Sequence, residues 1–242
     1  VTDRVFKPSS KILEINSKSG LYPLYVAYSI YRRKCGEIPE QDIAAPTREK
    51  KWRETVKDNV FVICKTPMAA SITRRTLVGY STAAVNAIYV DNLIDTLKSA
   101  PDKFIKKITK GNFWKREEEE MKFDAVVGNP PYQEMKGDEK LGFASAIYPF
   151  FMNAAFGLSP RYVSMITPSR WLLKTGQGIN EEWADKLIHS DHFITMCDYH
   201  DASDCFPGVE IKGGVLYFLY SADYRGKCHY RNCKRARLSE MH

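Results

Sequence analysis

The stretch KFDAVVGNPPYQ, residues 122–133, decides how this chain is read. Its apolar run Ala125–Val127 has the composition of a buried strand, and Gly128 ends it. Asn129, Pro130, Pro131 and Tyr132 follow. The adjoining prolines withdraw two backbone N–H donors and keep their carbonyls. Asn129 adds a side-chain carbonyl and an amide. Tyr132 adds a flat ring. Acceptors beside an aromatic platform suit a planar amine: the carbonyls take the NH₂ and the ring stacks. The plainer reading is a rigid turn whose tyrosine packs on the core. Placement after a buried strand, with Asp91 after the strand before it, favours the chemical one.

Working outward, apolar runs alternate with helical patterns. Strands are predicted at 11–15, 60–64, 86–90, 123–127, 162–167, 192–198 and 213–220, and 227–232 is able to pair with a neighbour. Helices are predicted at 22–34, from Pro67 through Leu77, at 143–158 and at 179–190. Such alternation implies an α/β fold: a doubly wound, mostly parallel seven-stranded sheet with a late antiparallel hairpin. Ligands of these sheets bind beyond the carboxyl ends of the strands. The residues there are Glu14 and 16–20, Cys64 and Lys65, Asp91, and Asn129–Tyr132.

Lys and Arg number 36 against 29 Asp and Glu, a net charge of +7 that fits nucleic acid, an acidic membrane surface or an anionic cofactor. No apolar run is long enough to span a membrane, and the start VTDRVFKPSS has no signal-peptide pattern. The six cysteines form no CxxC pair and read as reduced cytoplasmic thiols. Cys228, His229 and Cys233 lack the second pair that a zinc site needs, so no metal is expected. Asp204, Glu210 and Lys212 resemble a nuclease pattern only loosely, since the aspartate is too close. The chain has neither a GxxxxGK phosphate loop nor a GxGxxG turn.

In these residues the chain resembles S-adenosylmethionine-dependent amino-methyltransferases, chiefly N6-adenine DNA methyltransferases. NPPY after FDAVVG is similar to their catalytic motif. ILEINSKSG, VFVICKTPMAASITRRTL and YVDNL resemble the three cofactor motifs. DCFPGVEIKGGVLYFLY resembles the late hairpin that helps hold the target base. The order of motifs is that of the gamma subclass, and LYPLY and FPGVEIKGGV look most like methylase domains of Eco57I-type restriction-modification proteins. The resemblance implies Asn129, Pro130, Pro131 and Tyr132 as the catalytic turn. It implies Glu14, Asn16, Gly20, Cys64, Asp91 and Asn129 around S-adenosylmethionine, and Tyr132 and Phe206 on the base. It also implies a single catalytic domain over 1–242, part of a longer protein, acting on double-stranded DNA in the cytoplasm. A target-recognition or nuclease domain would lie elsewhere on the chain or on a partner subunit.

Two positions depart from the family pattern. Lys18 stands where the first glycine of the cofactor loop belongs, and lysine adopts positive φ reluctantly. Cys64 stands where an acid usually takes the ribose hydroxyls. One reading binds the cofactor through Glu14, the 16–20 backbone and Asp91. Another has a decayed cofactor site and only binds DNA. A third class sharing NPPY methylates a glutamine side-chain amide in protein.

Overall fold

The computed structural model describes residues 2–36, 38–135, 144–209 and 211–234. The chain forms two compact units, one of residues 1–129 with 150–163 and one of residues 130–149 with 164–242. It is an α/β protein with mostly parallel strands and a late antiparallel pair, as the sequence predicts.

The first unit opens with α1 (Thr2–Val5) and carries β1 (Ile12–Ser17), β2 (Val60–Cys64), β3 (Asn86–Tyr89) and β4 (Ala125–Gly128). Their spatial order is β4-β1-β2-β3, all parallel. Every residue of β1 and β2 is buried. Strands covered on both faces need no polar alternation, which is why VFVIC is continuously apolar. The connections run through α2 (Leu21–Lys34) and α3 (Ala45–Asn59) to β2, α4 (Pro67–Val78) to β3, and α5 (Leu93–Ser99) and α6 (Pro101–Ile108) to β4. After β3 the order reverses, and β4 takes the other side of β1. In sheets of this kind ligands bind at the carboxyl ends of the strands that flank such a switch point, here β1 and β4.

Local chemistry fixes these elements. Thr66 caps α4, its hydroxyl accepting from Ala69 N at 3.1 Å, and Pro67 fills the first turn, where a missing donor costs nothing. Gly20, at φ +78°, leads into α2, and a Cβ there would stand 2.9 Å from Thr73 Cα on α4. Gly20→Ala is therefore expected to cost more than about 1 kcal/mol. An unchanged thermal midpoint would contradict that close approach.

In the second unit β5 (Gln133–Met135) and β6 (Ala144–Ala146) form an antiparallel pair. Helix α7 (Tyr148–Gly157) and strand β7 (Tyr162–Pro168) carry the chain into the first unit and back. Then come α8 (Glu181–Ile188), β8 (Phe193–Tyr199), β9 (Val215–Ser221) and β10 (His229–Asn232). Their order is β10-β8-β9-β7, with β8–β9 antiparallel and β8–β10 parallel. Trp171 and Phe193 centre the packing, with Trp183 and Phe218 edge-on to them. Asp198 is buried. It accepts from Ser169 Oγ and from Tyr230 OH at 2.5 Å, and His200 Nε2 lies 3.2 Å away. Burial, then the bond to Asp198, pushes the Tyr230 hydroxyl up to about 12. Asp198→Ala leaves the buried Ser169 hydroxyl without its acceptor, and is expected to lower urea-unfolding stability by about 1–3 kcal/mol.

His229–Asn232 pairs with β8, as the sequence allows, so the strands exceed the seven predicted. Three further features differ from the sequence reading. The helix predicted from 143 starts at Tyr148 (Phe143 lies outside the described residues), because Ala146 N bonds Gln177 O at 2.9 Å and Ile147 N bonds Tyr132 O at 3.2 Å. Those donors are committed to other segments. Helix α3 does not show in the hydrophobic pattern, since only Thr55, Val56 and Asn59 are buried along it. Trp52 anchors it instead, donating to Leu77 O at 2.8 Å and meeting Tyr31 edge-to-face. Lastly, Cys197 and Cys233 form a disulfide rather than staying reduced; just past β10 the chain stays on β8, Cys233 N donating to Asp198 O at 2.7 Å, and the two Cα atoms lie 5.8 Å apart. Among the described residues no helix is long and apolar enough to cross a membrane.

Candidate active site

The candidate site in the first unit lies at the carboxyl ends of β1 and β4. Register with β2 breaks between Ile15 and Ser17, where Asn16 takes φ +76°. Asparagine tolerates this left-handed region better than most residues. Its Nδ2 donates to Asn129 O at 3.3 Å, tying the first loop to the turn after β4. Lys18 keeps negative φ, and the left-handed positions of the loop fall on Asn16 and Gly20. The loop thus reaches its turn without a glycine at position 18.

Glu14 is 3% exposed. Burial raises its carboxyl to about 7 against a lowering bond from Ser17. Its Oε2 has no hydrogen-bond partner among the described residues. Ser17 Oγ accepts from Thr73 Oγ1 at 3.2 Å, and Thr73 lies 3.9 Å from Cys64 Sγ. Cys64 is fully buried, and burial pushes its thiol up to about 11. The enclosed thiol offers no group to a ribose. Asp91 follows β3 at the surface. Its Oδ1 accepts from Tyr89 OH at 2.7 Å and Asn92 N at 2.9 Å, and Oδ2 from Asn92 Nδ2 at 3.3 Å. The bond to Asp91 raises the Tyr89 hydroxyl. Ser17 fell within the 16–20 loop that the sequence marks, but Thr73 and Tyr89 were not singled out. Of these two only Tyr89, two residues before Asp91 on the same strand, carried a signal in the sequence.

The division between the units falls after Asn129. Among the described residues no hydrogen bond engages the Asn129 side chain, so both its amide atoms remain available. In the second unit Tyr132 is half-buried, and its carbonyl accepts from Ile147 N. It shares a space of about 20 Å³ with Gln133, Tyr148, Arg170 and Gly176. A larger cavity of about 480 Å³ lies in the loop after β8, lined by His200, Ser203, Val209, Ile211 and Lys212. Phe206 lines neither; it sits in a tight turn, its N bonded to Ala202 O at 2.7 Å and its O to Val209 N at 3.1 Å. Among the described residues no three His, Cys, Asp or Glu could hold a metal, and Glu210 lies outside them.

The family model for the Eco57I restriction-modification methylase matches residues 58–206, more than half of the chain. The chain belongs to the Eco57I restriction-modification methylase family. This methylase-family chain is 38% identical, over 117 residues, to an uncharacterized adenine-specific methylase of Mycoplasma pneumoniae. The match covers 48% of the chain and 28% of that relative. A nuclease-deletion mutant of the type ISP enzyme LlaGI, solved with a DNA substrate mimic, superposes with a TM-score of 0.60 at 11% identity, covering 93% of this chain and 25% of the other. The M protein of the type I enzyme EcoKI gives 0.57 at 12% identity, covering 93% and 43%. At these identities the two structures show the fold. The family member described here thus spans less than half the length of each of these three proteins.

Proposed function

We propose that residues 1–242 act as one catalytic domain that transfers a methyl group from S-adenosylmethionine to N6 of adenine in double-stranded DNA, within a restriction-modification protein of the cytoplasm. The observation that carries this reading is the bond from Asn16 to the Asn129 carbonyl. It holds the Asn129 backbone beside the end of β1 and leaves the Asn129 side chain to a ligand.

Adenine N6 is a poor nucleophile because its lone pair is delocalised into the ring. Asn129 Oδ1 and the Pro130 carbonyl accept its two N–H bonds, which draws the nitrogen toward sp³ and aims the lone pair. Acceptors fixed in advance by a stiff turn need no reorganisation during the reaction. Flipping the base from the duplex costs roughly a few kcal/mol. Stacking on Tyr132, with Phe206 as the second face, offsets about 1–3 kcal/mol of it.

S-adenosylmethionine supplies an electrophilic methyl on a good leaving group. Two acidic positions in the first unit fit it. Glu14 Oε2 is a buried acceptor lacking a donor, and Asp91 presents a carboxylate at the end of β3. Asn16 and Gly20 shape the loop between them. Cys64 does not fit a ribose, so the hydroxyls fall to other groups.

The adenine named for the Mycoplasma relative supports this reading over glutamine methylation. Incubation of the full-length protein with methyl-labelled S-adenosylmethionine, plasmid DNA and bulk protein tests it. Label is expected in DNA. Label in protein alone would favour the glutamine reading, and absence of cofactor binding by calorimetry would favour a non-catalytic DNA-binding module.

A further inference from the structure

Arg170 lies in a short 3₁₀ turn, Ser169–Trp171, at the end of β7. Both neighbours are locked. Ser169 is buried and bonded to Asp198, and Trp171 is buried with its indole N–H on Thr167 Oγ1 at 3.2 Å. Arg170 between them is only partly buried. Its carbonyl accepts from Leu173 N at 3.2 Å and Thr175 N at 3.1 Å, which folds the following loop back on it. Two glycines with positive φ bracket its stem. A Cβ on Gly213 would meet Arg170 Cγ at 2.8 Å, and one on Gly176 would meet Cδ and Nε at 4.0 Å. The backbone therefore fixes the course of this side chain.

The guanidinium has no carboxylate partner among the described residues. Lys174, the next cation along, is committed to Asp185 at 2.5 Å. Arg170 lines the same small space as Tyr132 and Tyr148, and its charge eases the phenol of Tyr148 against the rise that burial causes. A space of about 20 Å³ takes roughly one water, so no base enters it. A rigidly held cation beside a stacking ring, with no carboxylate partner among the described residues, calls for an anion at a set distance from a base. A nucleotide carries such an anion in its own phosphodiester. The planar fork of arginine matches two phosphate oxygens at once.

We propose that Arg170 is a positioning residue that grips a phosphodiester of the DNA strand carrying the target adenine, so that Tyr132 receives the base in one register. The proposal rests on the methyl-transfer reading above. Its test uses the full-length protein as wild type, Arg170→Gln and Arg170→Lys. Binding to a fluorescent duplex with a mismatched adenine is followed by anisotropy across a salt range. Arg170→Gln is expected to bind roughly tenfold more weakly. Its plot of log K against log salt is expected to be shallower by about one. Arg170→Lys should restore the slope and only part of the affinity, since it keeps the charge without the fork. In methyl transfer, KM for DNA should rise with kcat nearly unchanged, and S-adenosylmethionine affinity by calorimetry should stay at the wild-type value. Unchanged DNA affinity and slope in a folded Arg170→Gln protein would overturn the proposal, as would a loss of cofactor affinity alone. If Arg170→Gln fails to fold, Arg170→Lys decides: wild-type affinity together with wild-type KM overturns it. Should the wild type transfer no methyl to DNA, the salt slope still reads the phosphate contact, so the two failures stay distinct.

Discussion

Replacing Asn129 by alanine is expected to lower methyl transfer to DNA by about a hundred- to a thousandfold, the scale seen when one preorganised polar group is removed from a reacting centre. The effect should fall on kcat, because the side-chain carbonyl acts where the amine nitrogen changes hybridisation. DNA affinity and thermal stability should change little. The main-chain carbonyl that Asn16 holds is still present in the variant, and no hydrogen bond among the described residues engages the lost side chain. Asn129→Asp keeps an acceptor oxygen and should recover part of the rate. Single-turnover kinetics would show this. A rate within a few-fold of wild type in Asn129→Ala would remove Asn129 from the chemistry.

The second large effect concerns Glu14. Its folded value of about 7 lies above the ordinary 4.5, because burial disfavours the charge. In the unfolded chain the carboxyl ionises near its ordinary value. Between the two, the folded state holds a proton that the unfolded state has lost, so unfolding gains ground as pH rises. The contribution is fully present below about 4.5 and is lost as pH rises through about 7. At about 1.4 kcal/mol per unit, the loss reaches about 3 kcal/mol. Glu14→Gln stays neutral and should flatten this slope. It should match wild type near pH 4 and exceed it by about 3 kcal/mol near pH 8, read from urea unfolding at both ends of the range. The same change removes the negative charge and replaces one carboxylate oxygen by an NH₂ donor, so cofactor affinity should fall as stability rises. A wild-type stability that climbs between these pH values, or a Glu14→Gln profile parallel to it, would contradict the burial of an unpaired carboxyl.

What the sequence disclosed was local. The strand before NPPY, the Thr66–Pro67 start of α4 and the acidic residue after β3 each sit within a few positions of the feature that fixes them, and all can be read in one window. Asn16 could be named from its place after β1. Its left-handed backbone and its bond to Asn129 could not, since they depend on a partner 113 residues away. Cys64 shows the same limit: as a letter it stands where a ribose ligand belongs, and only the packing of Thr73 from α4 reveals it to be enclosed. Helix α3 is polar along most of its length and is held by one tryptophan, which a periodicity argument cannot weigh. The Cys197–Cys233 pair depends on where the chain runs just after β10, and cysteine spacing carries no trace of it.

The measurement that bears most directly on the central claim is nucleoside mass spectrometry of DNA incubated with the full-length protein and isotopically labelled S-adenosylmethionine. The account predicts labelled N6-methyldeoxyadenosine, lost in Asn129→Ala and retained at a reduced rate in Arg170→Gln. Label on cytosine, or no label in DNA from a protein that binds both DNA and cofactor, would contradict it.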